Sequence, residues 1–160
     1  MLCFANVAVH INEQYQVIFP PRTQWVTGHS KRAYYPWPNA QDNKDMSWYK
    51  NNLNSASWFA MNFEEDFVAG FDHGKNAGTM NIADHNIVPG KKFFTWGVGN
   101  MWDNILTDDD GPYLEIMVGA YSDNQPDYSW MQPYEERSFM MSWYPFRGTE
   151  GAKNAKFFQE

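Results

Sequence analysis

Glu115 is the residue best placed by type and spacing to do chemistry. It sits inside the apolar run Tyr113-Leu114-Glu115-Ile116-Met117. Strand alternation puts Tyr113, Glu115 and Met117 on one face. An acid between an aromatic ring and a methionine is partly desolvated, which raises a carboxyl towards the range of a general base. The plain alternative is a strand face that is simply wet. His10 closes the first apolar run, where a surface or hydrogen-bonded structural histidine is the ordinary expectation. Asp72-His73 and Asp84-His85 raise a metal reading, but their spacing matches no zinc signature and no metal is expected. In Thr107-Asp108-Asp109-Asp110-Gly111, an EF-hand loop with its glycine at Gly111 would start at Leu106 and end at Met117. Neither is a ligand, so the motif reads as turn chemistry.

Further motifs bound the chemistry. Gly97-Val98-Gly99 is too short for a dinucleotide fingerprint, and no phosphate loop, serine elbow or cysteine nucleophile pattern is present, so no cofactor is expected. Aromatics make up 18% of the 160 residues, including 8 Trp. That richness suits a β-sandwich core and a surface that stacks on sugar rings or bases. The formal charge of −7 decides against bases and anionic membranes, because a polyanion would be repelled. Trp96, Trp102 and Trp130 are candidates for stacking on sugar C–H faces, and Asp103, Asp123 and Gln125 for binding hydroxyls. Cys3, the one cysteine, forms no internal disulfide, and the first ten residues make a poor signal peptide. A cytoplasmic location is therefore favoured.

The elements that must position these residues are strands. Residues 92–96, 113–121 and 137–146 are aromatic and β-branched runs bounded by Gly, Pro, Asn or Asp. Residues 2–11 and 15–19, around Asn12-Glu13-Gln14, predict an antiparallel hairpin ended by Pro20-Pro21. Residues 24–27 predict a short strand, and residues 57–63, 67–72 and 79–84 a meander. Residues 102–106 predict one helical turn. The stretch 28–54 has no period. Its Tyr34, Tyr35, Trp37, Trp48 and Tyr49 either form a sugar platform or clamp the loop onto the core. The expectation is an all-β antiparallel sandwich over residues 1–147, with 148–160 a tail or linker.

Three long motifs carry a resemblance: ANVAVHINEQYQVIFPP, DHNIVPGKKFFTWG and WDNILTDDDGPYLEIMVGAYSDNQPDYSWMQPYEE. From Phe4 to about Asn154 the chain resembles a bacterial domain family of unknown function whose members often precede tetratricopeptide repeats. That family is itself similar to the galactose mutarotase-like supersandwich of the aldose 1-epimerases. The resemblance implies a partial supersandwich, sugar as partner, and chemistry at an anomeric carbon with Glu115 as base and His10 as acid. Ile116 stands where the mutarotases have proline after the glutamate, and Tyr134 where their later turn has glycine. The chain resembles the C-terminal part of that fold, which implies an uncovered sheet edge and self-association through it. A non-catalytic structural or protein-interaction domain is the alternative reading.

Overall fold

The computed structural model describes residues 3–27, 33–35, 44–98, 102–103, 105–107, 109–122 and 127–155. Among the described residues ten strands form two antiparallel sheets packed as a sandwich: β1 (Cys3–His10), β2 (Tyr15–Ile18), β3 (Gln24–Thr27), β4 (Ala33–Tyr35), β5 (Ala56–Met61), β6 (Phe67–Asp72), β7 (Ala77–Ile82), β8 (Gly90–Thr95), β9 (Tyr113–Ala120) and β10 (Ser142–Arg147). The larger sheet has the order β1-β9-β8-β5-β3-β4, the smaller β10-β7-β6-β2. None of the helices among the described residues is long and apolar enough to cross a membrane.

The core lies between the sheets and follows from alternation. Leu114, Ile116, Val118 and Ala120 of β9 point inward with Phe93 of β8, Trp58 and Ala60 of β5, and Trp25 of β3. Tyr15, Val17 and Val68 meet them from the smaller sheet. Aromatic edges lock this layer: Trp25 lies 4.6 Å from Phe19, 5.6 Å from Phe93 and 5.8 Å from Trp58 between ring centroids. A second cluster of Phe67, Ala69, Met80 and Ile82 occupies the outer face of the smaller sheet. Ala152 and Ala155, beyond β10, pack against it.

The predicted hairpin of residues 2–11 and 15–19 does not form as a pair. Both runs are strands, but β1 pairs with β9 over its whole length while β2 pairs with β6 in the other sheet. The chain crosses between sheets at Asn12, whose Nδ2 donates to Asp72 Oδ2 at 2.7 Å. The meander also divides: β6 and β7 pair in the smaller sheet, and β5 lies in the larger between β3 and β8. Of the run 137–146, the strand begins at Ser142. Phe139 and Met141 before it pack against the core cluster as irregular chain. Residues 102–106 do turn, with Ile105 and Leu106 N–H groups donating to the Trp102 carbonyl.

Candidate functional site

Because β9 buries its even-numbered side chains between the sheets, Tyr113, Glu115 and Met117 face outward. The neighbouring strands are in register with them. Phe94 of β8 stands opposite Glu115 and Lys92 opposite Met117. On the other side Ala8 stands opposite Glu115, Asn6 opposite Met117 and His10 opposite Tyr113. Phe4, Asn6, Lys92, Phe94, Glu115 and Met117 thus make the floor of a groove of about 410 Å³. Trp102 and Leu106, from the segment between β8 and β9, wall it. That volume is in the range of small-molecule sites.

The floor mixes rings and paired charge. Glu115 Oε2 accepts from Asn6 Nδ2 at 3.1 Å, and the carboxylate also accepts from the Tyr113 hydroxyl. Burial pushes the Lys92 ammonium below the ordinary lysine range, and the charge of Glu115 partly restores it. The Lys92 Nζ lies 5.1 Å from the centre of the Phe59 ring and 5.9 Å from that of Phe4. Trp102 meets Phe94 edge to face at 6.1 Å. Its Nε1 is buried and has no hydrogen-bond partner among the described residues.

The sequence candidates separate into those at the groove and those elsewhere. Glu115 and Trp102 line it. His10 is exposed on the same face but borders an adjoining groove with Tyr113, Thr107 and Asp110. Trp96 is 1% exposed and presents no free face. Its Nε1 donates to Asp103 Oδ1 at 3.0 Å and its ring supports Tyr113 edge to face at 4.9 Å. Asp103 therefore props the site from behind, and with burial as the larger cause it helps push the Tyr49 hydroxyl up to about 12. Trp130 is 85% exposed and belongs to the segment joined to Tyr121, where Ser129 Oγ donates to the Tyr121 carbonyl at 2.9 Å. Tyr121 is six residues beyond Glu115, roughly 20 Å at the rise of a strand. Asp123 and Gln125 lie outside the described residues, as does Trp37.

Of the remaining loop aromatics, Tyr49 is buried and its hydroxyl donates to the Gly97 carbonyl at 2.6 Å. Trp48 stacks on His73 at 4.8 Å. Both clamp their segment to the body of the protein. The pair Asp84-His85 is joined by Asp66, and their potential ligand atoms lie within 4.8 Å of one another. Asp66 Oδ1 already accepts from His85, at 2.9 Å from Nδ1. The buried Lys91 ammonium is drawn by the charges of both Asp66 and Asp84, and that positive charge opposes a dication there.

Pattern reading missed Phe4, Asn6, Lys92, Phe94 and Leu106 as groove residues. For Lys92 and Phe94 the signal was present. Alternation in Lys91-Lys92-Phe93-Phe94 sends one lysine and one phenylalanine to each face. Nothing local pairs Phe4 and Asn6 with a strand more than a hundred residues later.

An all-β antiparallel sandwich with an open, ring-lined groove on the outer face of its larger sheet defines the class of this molecule. The family model for a domain of unknown function (DUF5107) matches residues 1–146, and the chain belongs to that family. The fold is similar to a region of the crystal structure of a TPR-domain containing protein from Parabacteroides distasonis ATCC 8503. The TM-score is 0.64 at 19% sequence identity, over 89% of this chain and 23% of that one. The chain thus spans about a quarter of the length of that protein.

Proposed function

We propose that the outer-face groove is a carbohydrate-binding site. The observation that carries this reading is the composition of the floor. A sheet face turned away from the core has Phe4, Phe94 and Met117 interleaved with Asn6, Lys92 and Glu115, with Trp102 as one wall. Sugars need an apolar platform for their C–H faces and a few fixed polar groups for their hydroxyls. The opposite charges of Lys92 and Glu115 balance each other, which suits a neutral hydroxyl-rich ligand better than an ion. The likeness of Val9-His10 and Tyr113-Leu114-Glu115 to the mutarotase motifs points to the same ligand class.

Within this reading Glu115 is an oriented hydrogen-bond acceptor. Asn6 and Tyr113 both donate to its carboxylate, and the register places His10 opposite Tyr113 rather than opposite Glu115. The enzymatic version makes Glu115 the base and His10 the acid in a reaction at the anomeric carbon. The two differ in one observable. Polarimetry of freshly dissolved glucose and galactose should show no mutarotation above buffer for the wild type. A rate that is enhanced by the wild type and abolished by Glu115→Gln would establish turnover instead. Binding itself is tested by calorimetric titration of the chain with a sugar panel, in which Trp102→Ala should weaken the best ligand at least about tenfold while leaving the fold intact by circular dichroism.

A further inference from the structure

The outer face holds a second groove of about 390 Å³ beside the first. It adjoins the first along the same pair of strands: Asn6 and Glu115 border the first groove, and Ala8 and Tyr113, each two residues further along its strand, border the second, roughly 7 Å away. One segment walls both: Leu106 borders the Glu115 groove, and Thr107 with Asp110 the other. No tall side chain of β1 stands between them, because the residue at the junction is Ala8. The Tyr113 hydroxyl reaches across that junction to Glu115.

The second groove repeats the chemistry of the first. It offers the Tyr113 ring as an apolar surface, and Thr107, Asp110 and His10 as hydrogen-bonding groups. His10 and Asp110 are exposed. Each groove alone is at the small end of ligand sites, and both are open rather than enclosed.

We propose that the ligand is a linear oligosaccharide rather than a free monosaccharide, laid along β9 with one sugar unit in the Glu115 groove and the next in the His10 groove. The inference rests on the carbohydrate reading of the first groove and extends it to a second subsite. The shared wall makes the two subsites cooperate without new contacts, since the second ring binds from a tethered position.

The test is a glycan array carrying mono- to hexasaccharides, probed with the labelled chain, followed by calorimetry of the best hit and its monosaccharide. Signals should be confined to oligosaccharides, and affinity should rise at least about tenfold from one unit to two, the equivalent of 1.4 kcal/mol. His10→Ala and Asp110→Asn should each weaken the disaccharide several-fold more than the monosaccharide, whereas Trp102→Ala should weaken both. A monosaccharide bound as tightly as its oligomers, with His10→Ala and Asp110→Asn showing no selective loss, would overturn the second subsite and leave the first intact. Silence of the folded chain across the whole array would overturn both.

Discussion

Lys91 and Tyr134 each hold a conformation or a charge that the fold pays to keep, and each predicts a measurable release. Lys91 is fully buried, its Nζ has no hydrogen-bond partner among the described residues, and it lies 4.6 Å from the centre of the Phe63 ring. Burial lowers its pKa from 10.5 to about 8, against the pull of Asp66 and Asp84. Between those two pH values the unfolded chain binds more protons than the folded one, so this residue makes stability rise with pH. Below about pH 8 the whole cost of the buried charge is present. Lys91→Met should therefore stabilise the protein at pH 7 by roughly 2–3 kcal/mol, and the gain should narrow by pH 10. Urea unfolding at the two pH values checks this. A variant less stable than wild type at both would show that the ammonium is compensated. Tyr134 has φ of 66° and a fully exposed side chain. A left-handed residue with a Cβ costs about 1–2 kcal/mol, part of which glycine returns as chain entropy. Tyr134→Gly should raise stability by up to about 1 kcal/mol, and Tyr134→Ala should not, as read from denaturation midpoints. The left-handed conformation of Tyr134 was not legible in the sequence, where Pro133-Tyr134-Glu135 shows no glycine or asparagine to mark it.

At the scale of elements, the groove depends on how closely β9 packs on the smaller sheet. Gly70 of β6 lies where the Tyr15 hydroxyl and the Ile116 methyl approach, and a methyl group there would overlap both. Ile116 is the inward neighbour of Glu115, so a shift of β9 would be felt at the groove floor. Gly70→Ala should cost about 1–3 kcal/mol through overpacking, seen as a lower thermal midpoint. An unchanged midpoint would show that the sheets have slack. The strands themselves were legible because runs such as residues 67–72 and 113–121 are aromatic and β-branched between turn residues. Pairing was not legible. The turn at Asn12-Glu13-Gln14 predicts a hairpin, but Asn12 is held by Asp72 and the chain changes sheet there, so β1 finds β9 across the sequence. Trp96 shows the same limit for the site. A tryptophan beside a polar segment reads as a stacking surface, while its burial against Tyr113 and Asp103 is set by long-range packing.

For the whole molecule, β1 is an outer strand of the larger sheet among the described residues, paired along one side by β9. From Cys3 to Val9 it carries no charged residue and no proline to deter a further strand. We propose that the chain self-associates through this edge. Light scattering behind size exclusion should show a mass that rises with concentration, and Ala5→Lys, at a half-buried edge position, should return the protein to monomer. A wild-type monomer at every concentration would remove the edge from consideration. Calorimetric titration of the wild type and Trp102→Ala against mono- and oligosaccharides decides whether the Glu115 groove binds carbohydrate. Saturable binding by wild type, weakened at least about tenfold in the variant, is the predicted result. Wild-type binding that Trp102→Ala leaves unchanged, or a folded wild type that binds no sugar, would contradict it.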